Sequence, residues 1–326
     1  MIEAVREFVA CPDPTRFDEL ALRVFACQYE GNEPYRRFCD RRGRSPANVR
    51  TPIEIPAVPI AAFKEVDLVV GGLGRGAVYR TSGTTRGPER RGRHFVPDPS
   101  LYRAAALAEF RRWVLPDNAR PRFVVFAPSV AEEPESSLCQ MIDWLAEDLA
   151  PAPAEYFVRS GALEVEPLIA RLRELETTRE PVLLIGVTHA FIGFFDACAP
   201  RELRFRLPYA SRVVDTGGTK GRSRPMSRAG LLRAYWELFG VAGYFVSNEY
   251  GMTEMSSQFY DDSIRNHVEG VKSDRAKHAP PWVRTWIVSP ETLLPVAPGE
   301  RGLLRHLDLV NVGSVAALVT EDVGVA

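Results

Sequence analysis

Five short apolar runs, at residues 67–70, 123–126, 182–187, 213–214 and 244–246, restrict the fold of this chain more than any other feature, because each is long enough only for a buried strand. The intervening stretches carry apolar residues at helical spacing over residues 101–114, 136–149, 163–175 and 227–239, the last with Ser227 as its N-cap. Strands alternating with helices predict an α/β fold, a largely parallel sheet with helices packed on its faces. Ahead of them, Phe17, Leu20, Leu22, Val24 and Phe25 among charged neighbours predict a helix over 14–30. Residues 34–42 predict a second short helix, and the proline-rich 52–59 an extended connector. At 326 residues the chain exceeds the usual single-core size. The expected division is 1–65, a helical region with the connector, and 66–326, the α/β domain.

Charge and cysteine usage exclude several functions. A net charge of −1 gives no reason to expect nucleic acid or an anionic membrane as partner. No apolar run approaches the ~20 residues of a membrane span, and Met1 to Phe8 is charged and amphipathic rather than a signal peptide. Five cysteines, at 11, 27, 39, 139 and 198, are odd in number and scattered, which argues against a disulfide framework and against zinc. A reducing cytoplasm is the expected compartment.

Two segments carry chemistry. Thr81-Ser82-Gly83-Thr84-Thr85-Arg86-Gly87-Pro88 combines small residues, whose successive N–H groups can converge on an anion, with hydroxyls that add uncharged donors. Such a run suits a solvated turn and a phosphate loop equally. Asn248-Glu249-Tyr250-Gly251-Met252-Thr253-Glu254 follows the apolar run 244–246 and reads as the end of a buried strand emptying into a loop, where open α/β sheets bind ligands. There Thr253 can hold a phosphate oxygen beside a hard cation on Glu254, since Mg²⁺ takes one or two carboxylates when phosphates supply its other ligands. The bland alternative is a polar loop.

Taken in order, these segments resemble signatures of the adenylate-forming superfamily. The first resembles its phosphate loop, and Tyr250, Gly251, Met252, Thr253 and Glu254 match its aromatic-Gly-x-Thr-Glu motif at every position. Between them, Asp215-Thr216-Gly217-Gly218-Thr219 after the run Ser211 to Val214 resembles the strand and Gly-Gly turn laid against adenine. Thr320-Glu321-Asp322-Val323-Gly324 resembles the motif whose aspartate holds the ribose hydroxyls. Within the superfamily the chain is most similar to the acyl-protein synthetases of bacterial luminescence, with phenylacetate CoA ligases more distant. That likeness rests on the proline-punctuated 55–64, on Ser256-Ser257-Gln258-Phe259-Tyr260 after the motif, and on Asp308-Leu309-Val310-Asn311 before Ser314-Val315.

The resemblance implies the large N-terminal domain of that superfamily, layered sheets flanked by helices. It implies ATP and Mg²⁺ as cofactors and a carboxylic acid, most readily a fatty acid, activated as acyl-adenylate and transferred to a thiol on a protein or on coenzyme A. Thr81, Ser82, Gly83, Thr84 and Thr85 would hold the β- and γ-phosphates, Thr253 the α-phosphate and Glu254 the magnesium. Gly217, Gly218 and Thr219 would wall one face of adenine, with Tyr250, Gly251 and Met252 on the other side, and Asp322 would anchor the ribose. His189, at a strand-to-helix junction, either closes over the acyl carboxylate or is a buried histidine satisfied locally. Phe191, Phe194 and Phe195 suit an acyl pocket or the core alike.

Three departures qualify these expectations. Glu89 stands where the phosphate loop usually carries lysine, with Arg86, Arg90, Arg91 and Arg93 as candidate replacements. Glu321 stands where glycine is usual beside the ribose aspartate. The small C-terminal domain of the family, with its lysine, is expected to be absent, since the chain ends at Ala326, the last lysine is Lys277 and the last cysteine Cys198. The alternative reading is therefore a nucleotide- or acyl-binding partner without turnover. The Gly72-Leu73-Gly74-Arg75-Gly76 run fits a dinucleotide fingerprint, but Val78-Tyr79-Arg80 lead straight to the Thr/Ser/Gly loop rather than into a helix, so a hairpin turn is expected. Neither Ser82 nor Ser129 sits in a nucleophile elbow.

Overall fold

A computed structural model describes residues 1–74, 76–81, 91–218 and 223–326. The chain forms two compact units. One comprises Met1–Ala108, Met252–Ser257 and Ala279–Ala326, and the other Glu109–Gly251 and Gln258–His278. The division falls inside the helix Pro99–Trp113 and again at Gly251, within the Tyr250–Glu254 motif.

The second unit is built on a seven-stranded sheet. Its spatial order is Lys277–His278, Phe259–Asp261, Val246–Tyr250, Arg212–Thr216, Val182–Val187, Arg122–Phe126 and Glu155–Tyr156. The last five are parallel, and the first two add antiparallel at one edge. Counted along the chain, the parallel strands lie second, first, third, fourth, fifth. The order therefore reverses between Arg122–Phe126 and Val182–Val187, the type of crevice where open α/β sheets receive ligands. Helices Ser137–Leu149, Val165–Glu176, Thr188–Cys198 and Arg228–Phe239 are the crossovers of this sheet. Ser227 caps the last, its hydroxyl accepting from the Gly230 amide. The central strands are buried along nearly their whole length, as strands covered on both faces are. Phe191, Phe194 and Phe195 belong to the core: Phe126 stacks on Phe191 at 4.2 Å, and Phe194 on Phe239 at 5.9 Å.

At Gly186, whose φ is 156°, an added Cβ would lie 2.4 Å from the carbonyl oxygen of Phe126 on the neighbouring strand. Backbone on both sides cannot yield cheaply. Gly186→Ala is expected to cost about 3 kcal/mol, measured as a lowered midpoint in urea with unchanged slope; an unchanged midpoint would show that the two strands can part.

The first unit holds a four-stranded sheet in the order Val58–Pro59, Ala317–Val325, Arg301–Asp308, Val283–Val288, and a hairpin of Ala77–Arg80 with Arg93–Val96. In the helix Phe17–Gly31, Phe17, Leu20, Ala21, Val24, Phe25 and Gln28 are buried, one continuous stripe at helical spacing. Asn32 ends that helix and caps the next, Glu33–Asp40, by accepting from the Tyr35 amide.

Three sequence expectations are corrected. Residues 67–70 form no strand; they lie against a loop through single bonds, the Val70 amide to the Gly313 carbonyl and the Ser314 hydroxyl to the Leu68 carbonyl, with no ladder. The run 244–246 is not the strand itself. Gly243–Phe245 is a 3-10 turn, its Phe245 amide bonded back to the Ala242 carbonyl, and the strand is Val246–Tyr250; Arg275 donates to the Gly243 and Val246 carbonyls. The Gly72 to Gly76 run does not join paired strands: it precedes the hairpin whose first strand is Ala77–Arg80, with Arg75 outside the described residues.

Candidate active site

In the second unit, the carboxyl ends of the parallel strands gather several sequence-predicted residues. Glu249 lies opposite Thr216, one residue before Tyr250 and one before Gly217. Gly217 and Gly218 are exposed, and Gly217 turns the chain in the left-handed region at φ 69°. His189 is half-buried, the second residue of the helix Thr188–Cys198, which follows the strand Val182–Val187 without an intervening loop. The Tyr250 ring packs edge-on against Phe259 at 5.6 Å. Thr219, with Lys220, lies outside the described residues.

Buried polar side chains fix these strand ends. Asp215, fully buried, accepts from Arg228 Nη1 at 2.7 Å, Tyr235 OH at 2.7 Å and Asn248 Nδ2 at 2.6 Å. The fourth and fifth strands are thus tied by the first residue of the Asn248–Glu254 segment. Thr216 donates its hydroxyl to Glu249, whose carboxyl is pushed above its ordinary range by burial and pulled back by that bond. The Thr188 hydroxyl reaches the carbonyls of Thr216 and Gly217, both at 3.0 Å.

The first unit holds Thr81, Met252, Thr253, Glu254 and Asp322. Thr81 is buried at the base of the hairpin connection, its hydroxyl accepting from the Gly92 amide at 2.8 Å and its carbonyl from Arg91 Nε at 2.7 Å. Ser82, Gly83, Thr84 and Thr85, with Arg86 and Arg90, lie outside the described residues. Of the remaining candidate cations, Arg91 serves the Arg80 and Thr81 carbonyls, and Arg93 pairs with Asp67 at 2.7 Å.

Thr253 and Glu254 are the central residues of a turn closed by the Met255 amide on the Met252 carbonyl. Each has its carbonyl gripped from the side. His94 Nδ1 donates to the Thr253 carbonyl at 2.7 Å, and Asn311 Nδ2 to the Glu254 carbonyl at 2.8 Å. Because a carbonyl only accepts, this bond places the His94 proton on Nδ1, and burial lowers its pKa to about 4, so the ring is neutral. Asp308 accepts from the Ser256 amide, the Ser257 hydroxyl and the Val310 amide. Gln28 holds the other side of that loop, donating to the Asn311 carbonyl and accepting from the Ala316 amide. Asp322 is exposed within the strand Ala317–Val325, where residues 320–322 oppose Leu304 alone. Such a bulge re-aims side chains.

Sequence reasoning missed Gln28, His94 and Thr188 as supports of the site. It singled out Asp308 and Asn311 as part of a resemblance without a role for either, and the structure supplies one. Among the described residues no group of three or more His, Cys, Asp or Glu gathers to hold a metal, and no helix is long and apolar enough to cross a membrane.

Comparisons with known proteins identify the family and the fold. The sequence model of the family "Acyl-protein synthetase, LuxE" matches residues 138–326, which include His189, Gly217, Gly218, Tyr250, Glu254 and Asp322. The long-chain-fatty-acid–luciferin-component ligase of Aliivibrio fischeri is 24% identical over 313 residues, 94% of this chain and 78% of the relative. The Vibrio harveyi protein of the same name is 24% identical over 53% of this chain and 44% of its own length. A crystal structure of 2-hydroxyisobutyryl-CoA ligase in an open conformation with 2-HIB-AMP and CoA has a TM-score of 0.63 at 18% identity, covering 94% of this chain and 64% of that one. The same ligase in its postadenylation state with R3-HIB-AMP gives 0.65 at 16% identity, over 97% and 66%. The chain thus spans just under two thirds of the length of those ligases. Its fold is that of adenylate-forming enzymes, and by the match over residues 138–326 the chain belongs to the acyl-protein synthetase family, LuxE.

Proposed function

We propose that this chain activates a carboxylic acid with ATP, forming an acyl-adenylate and pyrophosphate, and passes the acyl group to a thiol on a protein or on coenzyme A. A long-chain fatty acid is the substrate class suggested by the relatives' names. The observation that carries the reading is the convergence of Gly217, Tyr250 and the His189 helix start at the carboxyl ends of adjacent parallel strands, beside the point where strand order reverses. Adenine would lie against Gly217, Gly218 and Thr219, with Tyr250 and Gly251 on its other side; Met252 is the remaining nucleotide-binding candidate of that motif. His189 would face the acyl carboxylate.

Thr253 would contact the α-phosphate, and Thr81, Ser82, Gly83, Thr84 and Thr85 the β- and γ-phosphates. Asp322 would take the ribose. Glu254 offers a single carboxylate, a donor set suited to Mg²⁺ when phosphates supply the remaining oxygens. Bound there, the ion would neutralise phosphate charge as the carboxylate attacks phosphorus. The chain's own contribution is placement: the clamped Thr253 and Glu254 carbonyls fix the backbone from which both side chains would reach the phosphates. The five free cysteines suit a reducing cytoplasm.

Carboxylate-dependent exchange of labelled pyrophosphate into ATP tests the reading. Exchange is expected with long-chain fatty acids. ATP binding without exchange across fatty, aryl and amino acids would instead favour the non-catalytic binding partner. Mass spectrometry for a thioester on protein or on coenzyme A identifies the acceptor.

A further inference from the structure

We infer that the Thr188 hydroxyl is a positioning group that holds the Gly217 turn to the helix start carrying His189, so that one side chain sets the adenine wall and the acyl end together. This rests on the reading above for what the two elements bind; the hydrogen bonds themselves do not depend on it.

Thr188 is the first residue of its helix, but it caps nothing: the N-cap position is Val187, which offers no side-chain acceptor. Its hydroxyl points sideways instead. The parallel ladder between Val182–Val187 and Arg212–Thr216 ends at the pair Val187 and Thr216, so beyond that point strand pairing holds neither chain. There the Thr188 hydroxyl, in a residue only 4% exposed, shares its single proton between the Thr216 and Gly217 carbonyls, each at 3.0 Å. Among the described residues nothing lies within 4 Å of the position a Gly217 Cβ would take, and the two bonds from Thr188 tie the turn to the neighbouring helix start. From the opposite strand, Glu249 anchors the Thr216 side chain. The junction is pinned from both neighbours, with Thr188 the only one of the two that also sits beside His189.

A shared link has a distinctive signature. Loosening it should weaken ATP and acid alike, whereas a packing role would lower stability and leave affinities alone. Thr188→Val keeps the shape and removes the donor; Thr188→Ser keeps the donor. Both are compared with the unaltered protein by pyrophosphate exchange, by equilibrium dialysis of ATP, and by hydrogen–deuterium exchange of the amides at 216–218. Thr188→Val is expected to raise KM for both ATP and acid roughly ten-fold, the effect of one buried hydrogen bond lost, with faster amide exchange at 216–218. Thr188→Ser is expected to restore both.

A Thr188→Val protein with unchanged KM values and unchanged amide exchange overturns the inference, as does one that loses thermal stability alone. The two proposals fail separately. If the unaltered protein binds ATP but exchanges no pyrophosphate with any acid, acid activation falls, and the clamp is judged by ATP affinity and amide exchange. If it binds no ATP, the adenine wall falls with it and the inference is overturned.

Discussion

Glu254→Gln is expected to lower acid-dependent pyrophosphate exchange by roughly 10²–10³-fold, in the range found when one preorganised group facing transition-state charge is removed. The substitution preserves shape and removes only charge. Its backbone is held independently of the side chain, by Asn311 on the Glu254 carbonyl and by His94 on the carbonyl just before, so the turn should survive. Loss of exchange with an unchanged thermal midpoint would then report the carboxylate's work on phosphate charge or its counter-ion. Raising Mg²⁺ should recover part of the loss, since a weakened ligand is offset by mass action. Exchange retained at more than about a tenth of the starting rate, with an unaltered Mg²⁺ dependence, would take Glu254 out of the proposed site.

Asp308→Ala is expected to be the most destabilising single change near the site, at about 4 kcal/mol, because it leaves the Ser256 amide, the Ser257 hydroxyl and the Val310 amide buried without their acceptor. Trp282 is drawn in as well, since its indole donates to the same Ser257 hydroxyl at 3.0 Å. Asp308→Asn is not neutral either: one acceptor oxygen becomes a donor facing a donor. Urea unfolding followed by circular dichroism measures both, and a loss under ~1 kcal/mol for Asp308→Ala would mean the loop repacks around the gap.

The same residue shapes the acid side of the stability curve. Burial pushes the Asp308 carboxyl up to about 6 from 3.8, so the folded protein holds this proton more tightly than the unfolded chain. Its contribution is therefore greatest below about pH 4 and is lost as pH rises through about 6. His94 and His306 run the other way. Burial lowers each to about 4 from 6.5, so their contribution is complete above pH 6.5 and is lost as pH falls through about 4. Two histidines outweigh one carboxylate, and stability should fall from pH 6.5 to 4. In Asp308→Asn the opposing contribution is gone, and the fall should be steeper; equal slopes would place the titration elsewhere.

Local pattern was legible wherever a local rule decides. The strand Val182–Val187 coincides with its apolar run, and the helix Phe17–Gly31 with its apolar stripe. Ser227 reads as an N-cap because the cap bond spans only three residues. The run 244–246 misled, because apolar composition marks burial and a 3-10 turn can be buried as well as a strand. The segment 67–70 misled for the same reason: Leu68 and Val70 are buried with no strand around them. As a result Asn248, Glu249 and Tyr250 lie on the strand, and the turn that follows has Thr253 and Glu254 at its centre.

The amino-acid order alone was enough for the α/β class and for the family, since each of these is written in residues a few positions apart. The fold decided the rest. Gln28 meets Asn311 across 283 positions, and His94 meets Thr253 across 159. No periodicity announces such bonds, because a side chain that satisfies a distant buried backbone group has no counterpart in its own neighbourhood. Only once burial deprives those carbonyls and amides of water does it become necessary that some particular side chain reach them, and which one does so is settled by packing.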